Sequence, residues 1–295
     1  MKTRKIWLGL GAAALSTTLS PLTPQAASSP TALDAVSPSA HTHAVRLAEG
    51  HSHGAAKTDA VAKRDAGGEG GEGSAAKDDA DARLDPTLRF YRDIQLVRGH
   101  ILVGNELVKS GLWADALPHF LHPVEELYDK LAPGLKKRKS KPFLQQLKAL
   151  AQTVKAKNAP AYDAALLTLN SRLDLIDTAM KTEKKDWMPF AVETALETMR
   201  SAIGEYTESI TGGKFTKAVE YQDSRGFVFQ AERLLASVNA PLTAKYPDAS
   251  AKLRTELDVL KTAWPAAVPP SAPVLEPSKV AATISKLELA LGNVK

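Results

Sequence analysis

Helical periodicity is the feature that most constrains the fold of this chain. From Asp85 onward, apolar residues recur every three or four positions, and Gly or Pro interrupts the runs. No segment shows the alternation of period two that is typical of a strand. The sequence therefore predicts an all-α domain over residues 85–295, either one elongated bundle of seven or eight helices or two small bundles that share an interface. The predicted helices are 86–109, 113–131, 142–157, 160–181, 186–210, 218–238, 248–263 and 277–291.

Residues 1–27 have the layout of a secretory signal peptide. Basic residues precede an apolar run over 6–15, and small residues follow up to Ala26 and Ala27. An uncleaved membrane anchor is the alternative, but this run is far shorter than the ~20 residues that span a bilayer. We expect cleavage near Ala26 or Ala27 and export of a soluble chain to the periplasm. No later segment is long and apolar enough to predict a transmembrane helix.

Residues 28–84 have the composition of a disordered tail. They are rich in Ala, Ser, Gly, Asp and Lys, and they contain few large apolar residues that could offset the entropy of ordering. The tail carries His-Thr-His at 41–43 and His-Ser-His at 51–53. Alternating histidines on a flexible chain capture divalent metals weakly, although such pairs also arise by drift.

The chain contains no cysteine, and this restricts the chemistry it can carry. Thiol nucleophiles and iron–sulfur clusters are excluded, so a metal site must use His and carboxylate ligands. The densest basic run, over 136–141, follows Pro133-Gly134 and is predicted to be a solvated loop. No aromatic residues are interleaved with this run for base stacking, so no nucleic-acid partner is expected.

The predicted helix 86–109 carries a histidine on its apolar face. A helical projection places His100 near the centre of that face, with Gly104 one turn later on the same line. A buried polar group needs a partner, and a glycine allows another element to approach closely. His100 is thus either a ligand in a polar site or a core histidine bonded to a carboxylate.

The second helix supplies two further histidines at about the same height. His119, His122 and Glu126 lie within a narrow arc, and a turn at Ser110-Gly111 places His100 and His122 at equal distances from it. The apolar stripe of this helix lies more than 90° away, so the two histidines face solvent in a straight helix. A kink at Pro123, which lacks an N–H, or a second bundle would bring them to a cleft.

The predicted helix 218–238 adds two carboxylates. Glu220 and Ser224 lie on its apolar stripe, and Asp223 lies on the flank. A carboxylate here could complete a metal shell, or it could cap the start of the helix.

Two blocks of the chain resemble the imelysin-like family. The first is residues 109–128, and the second is residues 209–213 with 220–224 and 227–231. The family includes the periplasmic component of a bacterial ferrous-iron uptake system. The resemblance implies an exported helical bundle linked to iron acquisition, in which a His-x-x-Glu motif binds metal. That motif corresponds here to His122 and Glu125, whereas helical spacing pairs His122 with Glu126.

The sequence therefore predicts a periplasmic protein that binds or delivers a divalent metal ion: iron, copper or zinc. The alternative is a non-catalytic helical scaffold that binds another protein of the cell envelope. An enzyme is not expected, because the His-Glu-x-x-His pattern of zinc proteases is absent. The candidate metal ligands are His100, His119, His122, Glu125 and Glu126.

Overall fold

The computed structural model describes residues 83–295, and almost all of them are helical. This confirms the predicted all-α fold class. The predicted signal peptide, both His pairs and all but the last two residues of the predicted tail lie outside the described residues. The elements are α1 Pro86–Lys109, α2 Trp113–His122, a π-helical turn Pro123–Leu127, α3 Tyr128–Lys137, α4 Leu144–Lys155, α5 Ala159–Glu183, α6 Trp187–Glu208, β1 Ile210–Thr211, β2 Lys214–Phe215, α7 Ala218–Ala236, α8 Asn239–Lys245, α9 Pro247–Lys261 and α10 Pro277–Leu291.

The first helix begins and ends where its local chemistry requires. The Asp85 carboxylate accepts hydrogen bonds from the backbone N–H of Thr87 at 2.9 Å and of Leu88 at 3.1 Å, with Pro86 at the first helical position. At the other end, Gly111 has a φ of +78°, which glycine adopts without strain. The turn predicted between the first two helices is therefore confirmed.

Three predicted boundaries are wrong. The helix expected to stop before Pro133 continues to Lys137, because the Phe90 ring packs where Gly134 has no Cβ. The first two residues of the basic run are therefore helical rather than part of a loop. The break expected over 241–247 overlaps the short helix α8, which begins at Asn239 and buries Leu242. The end of the helix predicted over 186–210 is the strand β1, paired with β2 through two glycines at positive φ.

The π-helical turn follows directly from Pro123. Since proline has no N–H, it cannot satisfy the carbonyl four residues earlier, and the chain widens until Tyr128 N–H bonds the Pro123 carbonyl. The extra residue in this turn rotates the side chains that follow it by about 100° about the helix axis, relative to a regular α-helix. As a result, His119 and Phe120 before the turn and Leu131 after it are all buried.

The helices pack as two groups that share one continuous hydrophobic core. In the N-terminal group, α1 packs on α2, α2 on α4, and α4 on α5. In the C-terminal group, α6 packs on α7 and α10, and α9 packs on α10. The first helix also packs on α6 and α7, so it joins the groups. Among residues 83–295, no helix has the combination of length and apolarity that crossing a bilayer requires.

Candidate metal centre

Three histidines converge on a single carboxylate, Asp223 of α7. The Nδ1 atoms of His100 and His119 lie 2.6 and 2.7 Å from Asp223 Oδ1. The Nδ1 atom of His122 lies 3.0 Å from Asp223 Oδ2. Because an ionised carboxylate only accepts hydrogen bonds, each imidazole donates its Nδ1–H to Asp223. The acid therefore fixes the orientation of all three rings.

Glycines allow the helices to approach closely enough for these contacts. At the crossing of α1 and α7, a Cβ on Gly226 would overlap the carbonyl oxygen of Gly99. These glycines lie one residue before His100 and three after Asp223. On the other side of α1, a Cβ on Gly104 would lie 2.7 Å from the Phe120 ring. A glycine at position 104 led us to expect that another element approaches α1 closely. That element is α2, which carries the other two histidines.

His119 is sealed behind the centre. Its side chain is fully buried, and its Nε2 lies 2.8 Å from Oε1 of Gln222. The burial of this residue agrees with the alternative in which an irregularity at Pro123 turns the histidines inward, and not with a straight helix that leaves them in solvent. With both ring nitrogens in hydrogen bonds, His119 has no lone pair to offer a metal. It holds Asp223 in place.

His100 and His122 line a cavity of about 280 Å³ whose other wall residues are partly acidic and partly apolar. Asp223 lies between the two imidazoles, and Leu96, Leu127 and Phe227 form the apolar part of the wall. The remaining lining residues are the glutamates Glu126, Glu205, Glu208 and Glu220, which come from the π-helical turn, α6 and α7. One potential ligand atom from each of His100, His122 and Asp223 lies within 4.8 Å of the others.

The titration behaviour of the site reflects this crowding of carboxylates. Burial favours a raised pKa for Asp223, but the charge of His100 and the three histidine hydrogen bonds hold that pKa well below its ordinary value. Burial favours a lowered pKa for His122, yet the hydrogen bond and charge of Asp223, with Glu126 and Glu220, raise it to about 9. Burial, followed by the charges of Asp223 and Glu208, raises the pKa of Glu220. The cavity therefore favours a cation.

Of the five predicted ligands, the structure brings three to the cavity and leaves two outside it. His100, His122 and Glu126 line the cavity, whereas His119 lies behind it. Glu125 is exposed and is not part of the cavity wall. Sequence reasoning noted Asp223 and Glu220 on α7, but Glu205 and Glu208 were missed. Nothing in the sequence distinguishes these two glutamates, because acidic residues near the end of α6 are also typical of the solvated face of an amphipathic helix.

We expect NMR titration of the full chain to give a pKa near 9 for His122. Since this exceeds the ordinary histidine pKa of 6.5, the contribution of the charged ring to stability is complete below about pH 6.5 and is lost as the pH rises through about 9. Asp223→Asn removes the anion and is expected to move the pKa back toward 6.5. Glu125→Gln is the control and should leave it unchanged; a His122 midpoint near 6.5 in the unmodified chain would contradict the geometry.

Comparison with known proteins finds one similarity, and it covers the C-terminal helices. Residues 182–294 match the family model described as "Iron permease-associated 4-helix bundle domain". No curated protein and no solved structure matches the chain. The match spans α6, α7, α9 and α10, which form the C-terminal group, and contains Asp223, Glu205, Glu208 and Glu220. The three histidines and Glu126 lie outside it, so the candidate centre is assembled between a segment similar to this family and the helices that precede it.

Proposed function

We propose that this chain is an exported protein that binds a divalent metal ion, iron in the first place, and delivers it to a membrane permease. The observation that carries the proposal is the cavity in which Asp223 orients His100 and His122 beside four glutamates. The similarity of residues 182–294 to an iron permease-associated domain supports both the metal and the kind of partner. Export follows from the predicted signal peptide.

The side chains present suit such an ion. Histidines that bind metals usually donate their other ring N–H to a carboxylate, which is the role of Asp223 here. This leaves Nε2 of His100 and His122 as ligand atoms, with carboxylate oxygens from Glu126 and Glu220 to complete the shell. Imidazole and carboxylate donors without thiolate suit Fe²⁺ and Zn²⁺, and imidazole also binds Cu²⁺. The family similarity favours iron among these.

The cavity favours metal binding over the scaffold alternative. The hydrogen bonds to Asp223 suit both alternatives, since a core histidine would also bond to a carboxylate. A purely structural cluster, however, needs no polar cavity beside it, whereas His100 and His122 line one that is rich in further carboxylates. We propose no enzymatic activity for this site. The predicted role of the two tail His pairs in raising the local metal concentration is part of the same proposal.

The test is a calorimetric titration of the full chain with Fe²⁺ under anaerobic conditions, and with Zn²⁺ and Cu²⁺. To isolate the centre, the tail histidines at 41, 43, 51 and 53 are replaced by Ala. We expect one ion per chain and a loss of roughly 100-fold or more in affinity when His100→Ala and His122→Ala are combined. If none of the three ions binds saturably, or the double variant binds as well, the proposal is wrong.

Two adjacent glutamates supply a matched pair of variants. Glu126→Gln is expected to weaken binding by roughly 10-fold, because it removes a carboxylate of the cavity wall. Glu125→Gln has the same chemistry one residue away, outside the cavity, and should change affinity less than about 2-fold. The reverse order would favour the ligand implied by the imelysin-like motif.

A further inference from the structure

A second cavity, of about 460 Å³, lies at the other end of α1, where that helix meets α3. Its wall shares no residue with the metal centre. Phe90 and His100 are ten residues apart on α1, which separates the two sites by about 15 Å along the helix. Nothing in the metal-binding proposal uses this cavity.

The wall of this cavity is strongly basic. Arg89 comes from α1, Lys130 and Lys137 come from α3, and Arg138 follows α3 directly. Lys130 and Lys137 are seven residues apart, so they project from the same side of the helix about 10 Å apart. Among residues 83–295, neither makes an ion pair or a hydrogen bond with the protein, and both are exposed.

Two acidic groups at the cavity are already engaged by arginines. Asp93, the only carboxylate that residues 83–295 contribute to the cavity wall, lies 2.7 Å from Nη2 of Arg92. The carboxylate of Glu183, outside the wall, accepts two hydrogen bonds from Arg138 at 2.8 and 3.1 Å. Within the part of the chain that the structure describes, the two lysines thus carry positive charge that no ion pair neutralises.

Phe90 and Pro133 form the apolar part of the cavity wall. The Phe90 ring lies directly against Gly134, and the guanidinium carbon of Arg138 stands 4.3 Å from the ring centroid. A ligand here would meet apolar side chains as well as ammonium groups. The volume is that of a small-molecule site rather than of a flat docking surface.

We propose that this cavity binds a small organic anion that carries two or more carboxylate or phosphate groups. Lys130 and Lys137 would contact separate anionic groups, and the hydrocarbon part of the ligand would lie against the apolar part of the wall at Phe90 and Pro133. Lys139 and Lys141, in the same basic run, do not line the cavity and are exposed. They attract anions only through long-range charge, and this makes them a matched control.

The experiment is calorimetric titration of the metal-free full chain at low ionic strength with citrate, 3-phosphoglycerate and, as a neutral comparison, glycerol. We expect one saturable site for at least one of the anions, with a dissociation constant below about 1 mM, and no binding of glycerol. Lys130→Gln with Lys137→Gln should weaken binding by about 10-fold or more, since charge-assisted hydrogen bonds are lost.

Lys139→Gln with Lys141→Gln removes the same charge outside the cavity and should change affinity less than about 2-fold. Equal losses in the two double variants would mean non-specific attraction and would overturn the proposal. It is also overturned if neither anion saturates the protein or if the variant at positions 130 and 137 binds normally. All four lysines are exposed, so we expect these variants to fold, and circular dichroism verifies it.

Discussion

Asp223→Ala is expected to lower the free energy of unfolding by roughly 3–5 kcal/mol and to abolish high-affinity metal binding. The carboxylate is the shared acceptor for His100, His119 and His122, and its side chain is only 3% exposed. Its removal leaves the Nδ1–H groups of the buried rings without a partner, and a buried donor that loses its partner bears the full cost of desolvation. The rings also lose the contact that orients them toward the cavity.

Urea denaturation and the metal titration measure the two effects of this variant. Asp163→Ala is the matched control, because Asp163 is exposed on α5 and makes no ion pair among the described residues. We expect this control to change stability by less than about 0.5 kcal/mol. A change of similar size in both variants would mean that the three histidine contacts do not stabilise the fold.

Gly226→Ala is expected to destabilise the protein by about 1–3 kcal/mol or more and to weaken metal binding with it. The added methyl group would overlap the backbone of Gly99 rather than the end of a flexible side chain. The two helices must therefore move apart at the residues that carry His100 and Asp223. Their Nδ1–Oδ1 contact is 2.6 Å long, and a separation of even one ångström breaks it.

Gly204→Ala makes the same chemical change, but we expect it to have the opposite effect on stability. Gly204 lies within α6, and nothing is found within 4 Å of a Cβ at that position. Here alanine should stabilise the helix by up to about 1 kcal/mol. Thermal unfolding of the two variants separates the effects; if Gly226→Ala is also stabilising, then the crossing of α1 and α7 is looser than the structure indicates.

Much of the fold could be predicted from sequence, because helix formation and its limits are mostly local. The first helix, the turn at Ser110-Gly111 and the burial of His100 follow from periodicity and from one capping residue. The wrong boundaries occur where packing overrides a local signal. Gly134 is helical because Phe90 packs on it, and α8 forms where Leu242 is buried.

The candidate site was predictable in part. The hairpin that brings the histidines to one height is a property of a short segment, so spacing alone indicated it. An irregularity at Pro123 was also indicated, because proline lacks an N–H, and the widened turn is the form that it takes. The pair of glutamates at the end of α6 was not accessible in this way.

The sequence by itself therefore determined an all-α domain and a histidine-bearing hairpin with one buried imidazole. Only the tertiary structure decided that one carboxylate serves all three histidines. Asp223 lies more than 100 residues from each of them along the chain, and the contacts depend on how closely Gly226 allows α7 to approach α1. The physical reason is the distance along the chain over which each effect acts. Helical periodicity links residues three or four positions apart, whereas the position of a shared acceptor depends on how helices distant in sequence pack together.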